Sequence, residues 1–210
     1  MSRVLCLSLA QGSFLVAMVA LVFMAAPVLA EVEAKTGYVE GGAGYFLGDG
    51  ASGTFLGQPA RAEIENSLMV GGRGGMFFTN NWGLEGWLAY SPAEVTRSAS
   101  ALGSGIDDMA ILFLDASAVY CLNPSGEKNV LLLGGIGYMQ ARIEGFNSQS
   151  SPTLHLGAAA KLFRTESFYI RPDVRYLYVD GVDFGFDGGK KNQLNSFALF
   201  LTIGVESRRI

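Results

Sequence analysis

Several residue types are scarce in this 210-residue sequence, and each shortage excludes a class of protein. Lys and Arg number 15 against 19 Asp and Glu, so the basic excess of a nucleic-acid-binding protein is missing and no nucleic-acid partner is expected. Two cysteines cannot build a disulfide scaffold. Charged residues make up only 16% of the chain and hydrophobic residues 50%, which excludes an intrinsically disordered protein.

Catalytic and metal-binding patterns are also missing. Asp180, Asp183 and Asp187 could coordinate Ca²⁺ through oxygen, but their spacing matches no known calcium-binding loop. Glycine, in contrast, is abundant at 28 residues, but no glycine-rich run is followed by the Lys-Ser or helix that cradles a phosphate. We therefore expect no catalytic site, no cofactor and no metal.

The first 30 residues have the features of a secretory signal peptide. Arg3 precedes an apolar run over residues 14–26, Pro27 ends that run, and residues 28–30 end in a small-x-Ala cleavage site. An uncleaved membrane anchor is the alternative, because the run is just long enough to cross a bilayer. We expect cleavage after residue 30, which leaves one domain over residues 31–210.

The rest of the sequence alternates between apolar and polar or small residues. No later stretch is long and apolar enough for a membrane-spanning helix, and helical spacing is scarce. A period of two is typical of β-strands with different environments on their two faces. It occurs in eight segments, at 37–46, 68–78, 82–90, 109–120, 130–143, 153–163, 168–178 and 194–206. Pro172 inside the seventh segment predicts a bulge or the end of a strand.

The gaps between these segments are long and short in turn. Residues 79–81 and 164–167 form short turns, whereas residues 48–66 and 91–107 are long and rich in Gly, Ser, Ala and Asp, as expected of loops in water. Short turns at one end and longer loops at the other are typical of transmembrane barrels. The fold class predicted is therefore all-β, an eight-stranded antiparallel up-and-down transmembrane β-barrel.

The apolar face could point inward, as in a soluble ligand-carrier barrel, or outward into lipid. Lipid outside is favoured because the opposite face has about one charge per strand and is otherwise mostly small and neutral, unlike a surface in water. Aromatic residues also gather near segment ends, as an interfacial girdle requires. They are Tyr45, Phe46, Phe77, Phe78, Trp82, Tyr90, Tyr120, Phe163, Phe168 and Tyr178.

With lipid outside, the charges of the segments face the lumen. An eight-stranded barrel is just wide enough for side chains to fill it, so these charges must pair with one another. In the fifth segment both faces are apolar, and charge alone assigns Arg142 to the lumen. The five acids and five bases predicted to form ion pairs there are Glu40, Glu85, Asp115, Asp173 and Glu206 with Arg73, Arg142, Lys161, Arg171 and Arg175.

Four stretches resemble the small outer-membrane β-barrel family, which includes the transmembrane domain of outer membrane protein A. They are GYVEGGAGYFLG (37–48), GGRGGMFFTNNWGLEGWLAY (71–90), LDASAVYCLNPSGE (114–127) and LFRTESFYIRPDVRYLYV (162–179). The resemblance implies a lumen plugged by ion pairs, with Arg73, Glu85, Arg142 and Lys161 as the first positions to test. It also implies location in the cell outer membrane among its lipids and lipopolysaccharide, and insertion by the barrel-assembly machinery. The sequence departs from the family where Arg208-Arg209-Ile210 replaces the usual terminal aromatic residue.

The function expected is therefore a non-enzymatic barrel with a structural or surface-interaction role, and the sequence does not indicate what its loops bind. A narrow channel for small solutes or ions is the alternative if the lumen charges line water instead of pairing. A lipid-modifying enzyme is a lesser alternative, based on His155 and the serines Ser148, Ser150 and Ser151 of the neighbouring loop. If His155 does not act together with these serines, it is a structural residue of the lumen or of the barrel rim.

Overall fold

The structure is a computed structural model, and it describes residues 36–55, 58–99, 103–124, 128–143, 148–163, 165, 167–184 and 192–207. The predicted signal peptide, residues 1–30, and the terminal residues 208–210 lie outside the described residues. Among the residues described, no helix is long and apolar enough to cross a membrane.

Ten antiparallel strands make up the described part of the chain. They are β1 (Thr36–Leu47), β2 (Gly50–Phe55), β3 (Gln58–Ile64), β4 (Ser67–Phe77), β5 (Trp82–Ala99), β6 (Gly103–Cys121), β7 (Lys128–Ile143), β8 (Gln149–Phe163), β9 (Phe168–Val182) and β10 (Asn192–Glu206). Eight of them close a ring in the order β1-β4-β5-β6-β7-β8-β9-β10, with β10 paired to β1. The predicted eight-stranded antiparallel barrel is confirmed, and each ring strand contains one of the eight predicted segments apart from one residue at the end of β4.

The two additional strands correct the prediction of a long loop at residues 48–66. The partners Phe46–Ser67 and Gly50–Glu63 have the same register, and the amide of Ile64 donates to the carbonyl of Asp49 over 3.0 Å. The first hairpin therefore continues through β2 and β3 beyond the ring. Opposite β5, residues 65–69 face residues 91–94, so the chain contains a one-residue bulge where β3 meets β4.

The prediction of a loop at residues 91–107 is also wrong. The β5–β6 ladder continues without a register shift to the pair Ala99–Gly103. A strand needs about 9–11 residues to cross a membrane, whereas β5 and β6 contain 18 and 19. This hairpin, like the first one, extends well past the ring. We call this end of the barrel the hairpin end, and the opposite end, with the short turns, the turn end.

Polarity across the barrel wall is the reverse of that in a water-soluble protein. Charged side chains are buried inside, and many large apolar side chains are exposed on the outside. We call this outer band the apolar belt; it includes Val39, Leu68, Val70, Met76, Leu84, Leu88, Tyr90, Leu112, Leu114, Ile136, Leu199, Leu201 and Ile203. An outward apolar band is what a barrel in lipid requires.

Part of the predicted aromatic girdle is wrong. Tyr45, Phe78 and Tyr90 are exposed on the outside as predicted, but Phe46 and Phe77 are buried. Because side chains of a strand alternate between its faces, Phe46 and Phe77 belong to the lumen even though each lies at a strand end.

Pro172 is accommodated without the predicted bulge. It lies inside β9, where it pairs with Leu201 of β10. The pairs Ala159–Asp173 and Leu162–Ile170 on either side of it have the same register between β8 and β9. The missing amide therefore leaves the alternation of β9 unchanged, and Arg171, Asp173 and Arg175 all face inward.

Two apolar clusters fill the interior toward the ends of the barrel. The turn-end cluster contains Tyr38, Phe77, Val119, Cys121, Leu131, Leu133, Ala159 and Tyr169. The larger hairpin-end cluster includes Phe46, Met69, Trp87, Ile111, Phe113, Met139, Leu177, Val179, Leu194 and Phe200. The buried charges of the lumen lie between these clusters or within the first of them, so their positions are set by packing on both sides.

Candidate functional site

Six buried charged side chains from four strands form one cluster inside the barrel. We call it the ionic cluster; its members are Glu40 (β1), Arg73 (β4), Glu85 (β5), and Arg171, Asp173 and Arg175 (β9). Their side chains are at most 1% exposed. The alternation of β9 places its three members on one face, and Glu40 and Arg73 are direct partners in the β1–β4 ladder.

Arg171 is at the centre of the ionic cluster because it donates hydrogen bonds to all three carboxylates. Its Nη1 donates to Glu85 Oε2 over 2.6 Å and to Glu40 Oε1 over 3.0 Å. Its Nη2 donates to Asp173 Oδ2 over 3.2 Å. Loss of this one guanidinium would leave three carboxylates with fewer partners in a region without water-exposed surface.

The other two arginines complete the pairing. Arg73 Nη1 donates to Asp173 Oδ2 over 2.5 Å, and its Nε lies 3.4 Å from Glu40 Oε2. Arg175 Nη2 donates to Glu85 Oε1 over 2.6 Å, and its Nε donates to Asp173 Oδ1 over 3.1 Å. Three positive and three negative charges therefore cancel, which is the condition under which buried ions are tolerated.

Neutral residues that the sequence analysis did not single out complete the surroundings of the ionic cluster. The hydroxyls of Tyr38 and Tyr169 each donate over 2.8 Å, to Glu85 and Glu40 respectively, and Thr202 donates to Glu40 over 2.7 Å. The guanidinium of Arg175 lies 4.6 Å from the centre of the Trp87 ring. Alternation along the strands could have placed these residues in the lumen, because each lies an even number of positions from a lumen charge on its own strand.

Lys161 and Glu206 form a separate pair near the turn end. Their Nζ and Oε2 atoms are 2.6 Å apart. Lys161 Nζ also lies 3.9 Å from the centre of the Tyr38 ring, 4.5 Å from that of Tyr169 and 5.2 Å from that of Phe77. Three aromatic faces and one carboxylate therefore replace the water that this ammonium group loses on burial.

Asp115 lies apart from the ionic cluster, beside His155. Thr153 donates to Asp115 Oδ1 over 2.8 Å, and the other carboxylate oxygen is 3.9 Å from His155 Nδ1. His155 Nε2 is 2.7 Å from Ser117 Oγ. The backbone of β7 leaves room for this group, because a Cβ at Gly137 would lie 1.8 Å from Asp115 Oδ1.

Ser117, His155 and Asp115 have the order of an acyl-transfer triad, but they lack its geometry. The histidine–aspartate separation of 3.9 Å exceeds hydrogen-bond range, and all three residues are buried. The sequence analysis paired His155 with serines of the neighbouring loop, whereas its partner is Ser117 on β6. The approach of two strands that are not neighbours in the chain could not be predicted from sequence spacing.

Arg142 is the one predicted lumen residue that the structure places on the outside. Its neighbours Ala141 and Ile143 are buried, as is Met139, whereas Arg142 is exposed. Because the fifth segment is apolar on both faces, charge was a misleading guide to the face of this residue. The other nine candidates lie inside: six form the ionic cluster, Lys161 and Glu206 pair with each other, and Asp115 lies beside His155.

Within the described ranges, no three His, Cys, Asp or Glu side chains converge on a point that could hold a metal ion. The arrangement of the lumen is therefore one of mutual pairing.

Comparison with protein families gives one match. A sequence profile described as outer membrane protein β-barrel domain matches residues 16–199, which is most of the chain. No curated protein matches.

Comparison with solved structures gives several outer-membrane barrels. OprG of Pseudomonas aeruginosa has a TM-score of 0.66 at 16% identity, over 84% of this chain and 97% of OprG. Neisserial surface protein A has a TM-score of 0.54 at 18% identity, over 84% and 100%. Outer membrane protein W of E. coli has a TM-score of 0.53 at 13% identity, again over 84% and 100%. At such identities the likeness shows the fold alone.

Proposed function

Because this chain belongs to the family of outer membrane protein β-barrel domains, we propose that it is a non-enzymatic barrel with a structural or surface-interaction role and a plugged lumen. Its fold and its location in the cell outer membrane follow from the family and from the barrels it resembles. The observation that carries the proposal is the ionic cluster, whose six side chains are at most 1% exposed and cancel in charge.

A conducting path would have to pass through this cluster. An ion entering it would separate carboxylates from guanidinium groups, and removing one partner from a buried pair costs about 3–5 kcal/mol. Tyr38 and Tyr169 of the turn-end cluster donate hydrogen bonds to two of these carboxylates, Glu85 and Glu40 respectively. The carboxylates of the cluster are therefore bound from several sides by side chains of the barrel wall.

Conductance in planar lipid bilayers tests the plugged lumen. We expect the folded full chain to produce no reproducible current steps. The Arg175→Ala variant, which removes a guanidinium that contacts Glu85 and Asp173, should conduct cations if it migrates as a folded barrel on unheated gels. Reproducible steps from the unsubstituted protein would contradict the proposal and favour the narrow-channel alternative.

The enzyme alternative rests on the 2.7 Å contact between Ser117 and His155. Burial of both side chains opposes it, because a nucleophile must reach the reacting carbonyl of its substrate. We expect the purified protein to hydrolyse neither phospholipids nor p-nitrophenyl esters above background. Esterase activity that disappears in both Ser117→Ala and His155→Ala would overturn the non-enzymatic assignment.

The proposal extends to the biogenesis of the chain. We propose that residues 1–30 are removed on export and that the barrel-assembly machinery inserts the remaining domain into the outer membrane, as its location there requires. Intact-mass spectrometry of protein purified from outer membranes should give the mass of a chain that begins at Glu31. A mass that includes residues 1–30 would favour the uncleaved anchor instead.

A further inference from the structure

Arg142 is exposed on the outer wall of the barrel, and strand pairing defines its position along the barrel axis. On the same face, Gln140 aligns with Leu112 of β6, which aligns with Tyr90 of β5. Tyr90 and Leu112 form the edge of the apolar belt nearest the hairpin end on these strands. Arg142 is the next outward residue of β7, and within the described part of the chain its guanidinium has no ion pair or hydrogen bond.

Carboxylates lie beside Arg142 at nearly the same height. Glu94 of β5 and Asp108 of β6 are direct partners in their ladder, and both side chains are exposed on the outer face. Like charges directly opposite one another destabilise a sheet, and no described cation bridges this pair. Arg142 is diagonal to Asp108, because its own partner on β6 is Ala110.

These residues share one groove. It has a volume of about 890 Å³ and is lined by Glu94, Asp108 and Arg142 at its polar side and by Leu68 and Tyr90 at its apolar side. Glu65 also lines the groove and brings a third carboxylate to it, whose Oε1 accepts a hydrogen bond from Thr96 Oγ1 over 2.8 Å. The groove is therefore amphipathic, with its apolar part continuous with the apolar belt.

The height of the groove indicates what it meets in the membrane. Outer-membrane barrels have short turns on the periplasmic side and long hairpins outside, so the hairpin end faces the cell exterior. A groove that lies between the apolar belt and the hairpin end is level with the headgroups of the outer leaflet. Those headgroups belong to lipopolysaccharide, whose phosphates are bridged by divalent cations.

We propose that this groove binds the phosphorylated headgroup of lipopolysaccharide. The guanidinium of Arg142 matches a phosphate in geometry and charge. A divalent cation between Glu94 and Asp108 relieves their repulsion and takes further ligands from phosphate oxygens, as Mg²⁺ and Ca²⁺ do. The acyl chains of the lipid follow the apolar side of the groove past Leu68 and Tyr90. This inference depends on the location of the barrel in the outer membrane and is independent of the plugged lumen.

The test of Arg142 is a binding titration with the folded full chain in phosphatidylcholine nanodiscs. The probe is bisphosphorylated lipid A in Mg²⁺-containing buffer, and the bound fraction is measured by native mass spectrometry. Hydrogen bonds to charged groups contribute enough for Arg142→Gln to weaken binding by about tenfold or more. Arg142→Lys should recover part of the loss, because it restores the charge without the planar fork.

Lys128 provides the matched control. It is also an exposed cation on β7, but it lies at the turn end of the strand. Lys128→Gln changes the net charge equally and should leave lipid A binding unchanged. If Arg142→Gln binds as tightly as the unsubstituted protein, or if Lys128→Gln weakens binding to the same extent, the proposed site is wrong.

The role of the carboxylates is tested separately. The Glu94→Gln/Asp108→Asn protein should bind lipid A to the same extent with Mg²⁺ and with EDTA, whereas EDTA should weaken binding to the unsubstituted protein. Lipid A from which both phosphates have been removed should bind weakly to every variant. Equal binding of phosphorylated and dephosphorylated lipid would overturn the proposal, and conductance measurements would be unaffected by that result.

Discussion

Arg171 contacts every carboxylate of the ionic cluster, and its replacement measures how far these buried charges depend on one another. Arg171→Met keeps most of the side-chain volume but leaves Glu40, Glu85 and Asp173 with fewer partners. Breaking a buried pair in this way costs about 3–5 kcal/mol. We therefore expect the free energy of unfolding to fall by about that amount, as measured by urea titration in phosphatidylcholine vesicles.

Arg61 is the matched control for that substitution. Its ion pair with Glu63 spans 3.2 Å on β3, and the two side chains are 63% and 57% exposed. An exposed pair contributes less than about 1 kcal/mol, so Arg61→Met should change stability little. Equal losses in the two variants would show that the lumen pairs are as well solvated as the surface pair.

Two adjacent glycines of β1 differ in what surrounds them. A Cβ at Gly42 would lie 2.1 Å from the carbonyl oxygen of Leu201 and 2.7 Å from Thr202 Cα, whereas a Cβ at Gly41 would meet nothing within 4 Å. Gly42→Ala should therefore destabilise the barrel by about 1–3 kcal/mol, the usual cost of overpacking. Gly41→Ala should lie within about 0.5 kcal/mol of the unsubstituted protein. Urea titration of the pair in the same vesicles checks this, and equal stability would contradict the close approach of β1 and β10.

At the residue level, alternation predicted most of the lumen correctly and failed where it was ambiguous. In β9 the polar residues Arg171, Asp173 and Arg175 share a face, so the sequence determines which side is inside. Around Arg142 both faces are apolar, and the position of the strand in the ring decides instead. The partners Tyr169 for Glu40 and Ser117 for His155 depend on strand pairing across the lumen, which sequence spacing does not contain.

At the level of elements, the eight ring strands could be predicted because lipid on one side imposes a strict alternation. The β2–β3 hairpin lies beyond the apolar belt, where one of its faces is exposed and the other packs into the hairpin-end cluster mainly through alanines, Ala51, Ala60 and Ala62. Alternation of alanine with polar residues is a weak signal of a strand. Residues 48–66 are accordingly small and polar, and they resembled a loop. They form strands because the ladder of β1 and β4 continues into β2 and β3 with unchanged register.

The ring should therefore fold without the outer part of this hairpin. Ser52 faces Arg61 across the ladder, and residues 52–61 can be replaced by Asn-Gly, which favours a two-residue turn. We expect the shortened protein to keep heat-modifiable migration on gels, since the eight ring strands remain paired.

A deletion nearer the middle of the same hairpin gives the contrast. Residues 40–41 of β1 face residues 72–73 of β4. Their removal preserves the pairing of β1 with β4, but it shortens the barrel wall, shifts the register of these strands against β10 and β5, and removes two members of the ionic cluster. This variant should show no folded species on unheated gels. A folded band from it, or none from the protein with the shortened outer hairpin, would contradict the division of the hairpin into ring and extension.

At the scale of the whole molecule, the barrel is apolar outside and charged inside, and two isoleucines measure where lipid surrounds it. Ile136 is 66% exposed in the middle of the apolar belt, and Ile106 is 65% exposed on the outer extension of β6. Arginine at the bilayer midplane of a barrel costs about 2–4 kcal/mol, falling to about 0–1 kcal/mol near the interface. Ile136→Arg should therefore reduce the free energy of unfolding by about 2–4 kcal/mol in phosphatidylcholine vesicles, while Ile106→Arg should have little effect. Since the two side chains are equally exposed, equal effects would mean that the belt does not lie in lipid.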